Sequence, residues 1–137
     1  MHHAHRLIAC ATLVLASHTA QACQDLSMGL HLASHHFNST EQGKRYNNAN
    51  HGAYVVCNGW SVGTYTNSAD ASTTWAGYSL KYGPVALTMG AATGYPGQRL
   101  APIGLVSVGL PAGLRLGAFP SRGEHSGGVH LMWEMRL

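Results

Sequence analysis

The chain has 137 residues, of which only 8 are Lys or Arg and 5 are Asp or Glu, while 45% are hydrophobic and 17 are Gly. A soluble domain carries roughly 25% charged residues, so a surface with 9% is not built to meet water in the ordinary way. The length excludes a two-domain enzyme with a separate cofactor fold, and the formal charge of +3 rests on too few cations to neutralise a run of phosphates, which argues against nucleic acid as a partner.

Residues 1–22 are laid out as a secretory signal peptide. Met1 to Arg6 is a short cationic start, Leu7 to Ala16 an apolar run, and Ala20-Gln21-Ala22 a small-x-small cleavage site. The run is too short for a membrane-spanning helix, which needs about 20 apolar residues. The mature domain is therefore expected to be 23–137, starting at Cys23. Cys10 leaves with the signal, so Cys23 and Cys57 remain to pair in an oxidising compartment. Acyl attachment at Cys23 is the alternative, although Ala20 stands where such a signal normally has Leu.

The rest of the chain alternates. From 128 to 137, Val129, Leu131, Trp133, Met135 and Leu137 share one face, and His130, Met132, Glu134 and Arg136 the other. That period of two marks a strand with one apolar and one polar face. The same pattern predicts strands at 28–36, 51–58, 60–67, 72–82, 84–94, 102–110, 112–119 and 128–137. Asn58-Gly59, Tyr82-Gly83-Pro84 and Leu110-Pro111-Ala112-Gly113 are tight turns at one end. The segments 37–50, 68–71, 95–101 and 120–127, mostly longer and polar, fall at the other.

Eight strands, short turns at one end and longer loops at the other predict an all-β protein: an eight-stranded antiparallel transmembrane β-barrel of the bacterial outer-membrane type. Its apolar face would point to lipid, and its partners would be membrane lipids. The competing reading is a secreted soluble barrel or sandwich. The second face is Gly, Ala, Ser, Thr and Tyr with few charges, which suits a narrow lumen better than a solvated exterior. A monomer is expected.

Six histidines remain in the mature chain, and His31, His35 and His36 crowd the first strand. As rim residues, His35 and His36 would sit at the headgroup boundary. On a regular strand His35 and His36 point to opposite faces, and His31 and His35 share a face about 13 Å apart. No carboxylate follows at ligand spacing, so neither a metal nor a cofactor is expected. Ser68 ends the third strand at the long-loop end, which also receives the upper part of the first. A His and a Ser meeting at that rim, with amide donors, are a sufficient kit for acyl transfer. The simpler reading of Asn67-Ser68 is a polar turn.

At these residues the sequence resembles the lipid A palmitoyltransferase (PagP) family, as a shortened and divergent member. Leu30-His31-Leu32 running to Phe37-Asn38, then Arg45-Tyr46-Asn47 before His51-Gly52-Ala53-Tyr54, is similar to that family's first two strands. Tyr65-Thr66-Asn67-Ser68 matches its catalytic aromatic-x-Asp-Ser sequence except at Asn67, and Ala76-Gly77-Tyr78 follows. Gly90 to Tyr95, Pro102 to Gly109 and Phe119-Pro120 look like its later strands. The resemblance spans nearly the whole mature chain. It implies an outer-membrane enzyme moving an acyl chain from a phospholipid to lipid A, with catalytic positions at His31, Asn67 and Ser68. His31 stands one residue out of register relative to Phe37-Asn38, which makes His36 a second candidate for the base. Besides Asn67 in place of Asp, the chain lacks the family's amphipathic N-terminal helix and has Gly and Ala at many inward positions. The other class of function is a non-catalytic barrel whose outer loops bind or mask something at the cell surface, such as a phage-encoded protein altering its host.

Overall fold

The computed structural model describes residues 23–37, 46–121 and 126–137; the predicted signal segment, 1–22, lies outside them. Eight strands follow in chain order: β1 Leu26–His36, β2 Gly52–Cys57, β3 Trp60–Thr66, β4 Ser72–Tyr82, β5 Val85–Ala92, β6 Ala101–Gly109, β7 Leu114–Phe119 and β8 Gly128–Arg136. Each end lies within two residues of its predicted position. Every strand pairs antiparallel with the next, and β8 pairs back onto β1, so the sheet closes into a barrel. Closure leaves no edge strand to cap.

Local chemistry sets the tight end. Asn58 (φ 49°) and Gly59 (φ 87°) both take the left-handed conformation, the geometry that a two-residue hairpin demands and that Asn-Gly supplies at low cost. Gly83 does the same before Pro84, and a single 3-10 turn at Pro111–Gly113 joins β6 to β7. At this end Cys23 is disulfide-bonded to Cys57, tying the start of the described residues to the end of β2. A thiol held in that bond is not available for thioether acylation.

The two faces of the closed sheet differ in chemistry. Outside stand Met28, Leu30, Val55, Val62, Leu80, Val85, Leu87, Met89, Val106 and Leu116, all exposed. Near the tight end this apolar wall carries an aromatic group, with Trp60 packed edge-on against Tyr78 at 5.1 Å and Tyr82 beyond them. Trp133 faces out at the same end and donates its indole N–H to the Ala112 carbonyl at 3.0 Å. No helix among the described residues is long and apolar enough to cross a membrane, which says nothing about strands.

Inside, the middle of the barrel is filled by Tyr54, Val56, Trp75, Ala92 and Met132, with Tyr65, Tyr95, Ile103 and Leu105 against them. The expected small residues are there, and they make room for large ones. A Cβ on Gly29 would overlap the Tyr54 ring, and one on Gly63 would meet the backbone and Cβ of the same tyrosine. Toward the tight end the lumen is charged. Glu134 accepts a hydrogen bond from the Tyr54 hydroxyl (3.2 Å) and lies 3.5 Å from Lys81 Nζ, while Arg115 donates to Ser107 Oγ at 3.1 Å.

One irregularity governs the candidate site. His31 pairs with Met132 and Ala33 with Leu131, so Leu32 is an extra residue with no opposite number, a β-bulge. Below it Ser27, Gly29 and His31 face the lumen; above it Ser34 and His36 do, opposite His130 and Gly128. The regular-strand expectation that His31 and His35 share a face is therefore overturned. His31 and His36 share the inner face, and His35 is outside.

Candidate functional site

The sequence-predicted residues fall into two groups at the long-loop end of the barrel. The deeper is built around His31, which is 7% exposed and pairs with Gly52, the first residue of β2. Its Nδ1 lies 2.8 Å from Nε2 of His130, reached across 99 residues of sequence because barrel closure puts β8 beside β1. The imidazole sits in an aromatic cage: the rings of Tyr54, Tyr65 and Trp75 have centroids 4.9, 5.0 and 5.9 Å from it. Tyr65 is fixed in turn by a 2.7 Å hydroxyl contact with Tyr95. The outer ring nitrogen of His31, Nε2, is buried and has no hydrogen-bond partner among the described residues.

The shallower group lies at the rim. His36 stacks on Tyr46 with centroids 4.7 Å apart and planes 14° from parallel, packs edge-on to Phe119 and contacts Asn48 Oδ1 at 3.2 Å. The Asn47 N–H donates to the Ser68 carbonyl at 2.9 Å, so the Tyr46-Asn47 and Asn67-Ser68 segments, distant in sequence, meet here. Arg45 lies outside the described residues. Below the rim, Asn50 is buried, accepts a hydrogen bond from the Ser34 hydroxyl and donates to the Thr66 carbonyl at 2.8 Å. Ser68 is half-buried.

Asn67 is completely buried, and its amide is fully engaged. Nδ2 donates to Thr73 Oγ1 (3.0 Å) and to the Gly94 carbonyl (2.8 Å). Oδ1 accepts from the N–H groups of Ala69 (2.8 Å) and Ala71 (3.1 Å). This side chain folds the β3–β4 turn around Ser68 and ties it to the segment after β5, and none of its polar atoms is left to point at a substrate.

The structure thus joins Ser68 to the segment that touches His36, and places His31 lower in the same lumen. Sequence reasoning noted His130 without giving it a role, and missed Tyr54, Tyr65 and Trp75 around His31 and Asn50 between Ser34 and Thr66. The signal for His130 was present, since alternation along 128–137 assigns it to the polar face; its partner depends on the β1–β8 register. Among the described residues no group of three or more His, Cys, Asp or Glu is placed to hold a metal ion. Comparison with known proteins finds no matching family model, no matching curated protein and no matching solved structure.

Proposed function

We propose that this chain is a bacterial outer-membrane barrel related to the PagP family, and that it transfers a fatty acyl chain from a phospholipid to lipid A. The membrane reading is supported by the closed barrel with Leu, Val and Met exposed all round its wall and Trp60, Tyr78, Tyr82 and Trp133 gathered at one end. Outer-membrane strands present such an apolar band to lipid, with aromatic residues at the interface. In water the same wall would be a large exposed apolar surface.

The chemical reading is carried by one observation: the buried Nε2 of His31, unpartnered among the described residues and inside the lumen. As a general base it takes the proton of the acceptor hydroxyl while that oxygen bonds to the ester carbonyl carbon of the donor. The tetrahedral intermediate then collapses. The bond to the donor's glycerol oxygen breaks, and that oxygen takes the proton back from Nε2, leaving an acylated acceptor and a lysophospholipid. Ser68 and backbone N–H groups at the rim supply donors for the oxyanion. Asn67 acts indirectly, by holding the turn that presents Ser68. The Leu32 bulge also accounts for the register offset of His31, since it is one residue inserted between His31 and Phe37-Asn38. His36, stacked on Tyr46 and in contact with Asn48, is the weaker candidate for the base.

The engagement of Asn67 favours a second reading, a non-catalytic surface barrel, because the position of the family's acid is structural here. Mass spectrometry of lipid A from expressing cells separates the two. A gain of one acyl chain, lost in Ser68→Ala and in His31→Ala or His36→Ala, is expected for the enzyme. Unchanged lipid A from cells holding a folded, heat-modifiable barrel would leave only the second reading. Recovery of the mature protein as a soluble species, absent from outer-membrane fractions, would overturn the membrane assignment.

A further inference from the structure

We infer that His130 is a positioning residue for His31: by accepting a hydrogen bond from Nδ1–H it fixes the tautomer that leaves a lone pair on Nε2. The inference rests on the reading of His31 as the base, and it assigns a role to a side chain outside the motifs of the resemblance.

The 2.8 Å contact admits two arrangements. If His130 donated, His31 would carry its proton on Nε2, an N–H buried without an acceptor among the described residues. If His31 donates from Nδ1, the unpartnered atom is an acceptor. In both arrangements Nε2 is the ring atom left without a partner among the described residues, and they differ in whether it carries a proton or a lone pair. The second arrangement is the one a general base requires, because only a lone pair on Nε2 can take a proton. In neutral imidazole the bond made by one nitrogen decides which nitrogen holds the proton.

Geometry holds the pair in place. His31 lies opposite Met132 and Ser34 opposite His130, with the Leu32 bulge between, so the two imidazoles sit on the same inner face of adjacent strands. Their centroids are 5.0 Å apart and their planes 50° from parallel. The rings of Tyr54, Tyr65 and Trp75 pack against His31 and limit its movement. Where the resembled family has an acid at position 67, this chain commits Asn67 to the turn. The support for the base then comes from the neighbouring strand as a neutral acceptor, which can also share the positive charge that His31 gains on taking a proton.

The test uses the mature barrel labelled with nitrogen-15 at histidine and refolded in detergent micelles, alongside lipid A acylation in cells. Long-range proton–nitrogen correlation is expected to show His31 with its proton on Nδ1 in the wild type. In His130→Phe both tautomers are expected at comparable population, and in His130→Gln, whose side-chain carbonyl still accepts, the wild-type pattern returns. Acylation is expected to fall about tenfold or more in His130→Phe, within the range by which general bases accelerate reactions, and to recover in His130→Gln. A wild-type His31 protonated on Nε2, or a tautomer unchanged in a folded His130→Phe, would overturn the inference. Full acylation by His130→Phe with none by His31→Gln would also overturn it and leave His31 as the base. Absence of acylation by the wild type would instead remove the base reading, while the tautomer measurement still decides the geometry.

Discussion

Replacing Asn67 is the sharpest test of how the rim is built. In Asn67→Ala four side-chain hydrogen bonds disappear: two donated to Thr73 Oγ1 and the Gly94 carbonyl, and two accepted from the N–H groups of Ala69 and Ala71. At a net ~1 kcal/mol each the loss is about 4 kcal/mol, near a thousandfold in the folding equilibrium. Asn67→Asp behaves differently. The carboxylate keeps the two accepted bonds, and the Thr73 hydroxyl can turn and donate to it. The Gly94 carbonyl, 2.8 Å from the present Nδ2, cannot, so an anion faces a carbonyl in a buried site. That contact costs about 2–3 kcal/mol. The protonated acid can donate to Gly94, so the folded state raises the pKa of the introduced carboxyl above its unfolded value. Asn67→Asp should therefore be closest to wild type below the ordinary carboxylate range and lose stability as the pH rises through its raised folded-state pKa. The assay is urea unfolding of the refolded barrel, followed by gel mobility and tryptophan fluorescence at several pH values. Wild-type midpoints for Asn67→Ala, or a pH-independent Asn67→Asp, would refute the structural role. Because the side chain at position 67 is committed to the turn, Asn67→Asp is also expected to bring no gain in acyl transfer, although it restores the residue of the resembled family.

Three further outcomes follow from other parts of the molecule. The Cys23–Cys57 bond spans a sequence separation of 34, so its loss in Cys57→Ser should cost ~3–4 kcal/mol from loop closure alone; free thiol in the non-reduced mature protein would contradict the bond. Met89 lies exposed on the outer wall of β5, and Met89→Arg should destabilise a bilayer-inserted barrel by about 2–4 kcal/mol, whereas equal stability to wild type in liposomes would count against a lipid-facing wall. Deleting Leu32 removes the bulge but keeps His31, Ser34 and His36 on the inner face; the deletion should yield a heat-modifiable barrel that retains the His31–His130 contact, and failure to fold would show that the bulge itself is required.

The barrel was legible in the sequence because its two faces differ in chemistry at a period of two, and because Asn58-Gly59 and Gly83 punctuate the strands with residues that accept positive φ. In β8 alternation puts His130, Met132 and Glu134 on the inner face, where their contacts place them. It fails in β1 after Leu32, since a bulge adds a residue without leaving a sign in composition, and every side chain beyond it changes face. His35 and His36 exchanged places for that reason alone. Partnership was less legible than facing. The residues around His31 come from β2, β3, β4 and β8, and which of them meet depends on the stagger of strands in the closed sheet, a property of the whole barrel. Asn67 was readable as a turn residue but not as a buried one, because half of its bonding goes to Thr73 and to a carbonyl 27 residues away. The resemblance to a known family drew attention to Asn67 and Ser68 as a pair. Structure divides them, making one the support of the turn and leaving the other half-buried at the rim, so in the proposed chemistry the support of a catalytic acid comes from elsewhere. On the inner face at that height the group in contact with His31 Nδ1 is His130, and the chemistry proposed for this barrel depends on that contact more than on position 67.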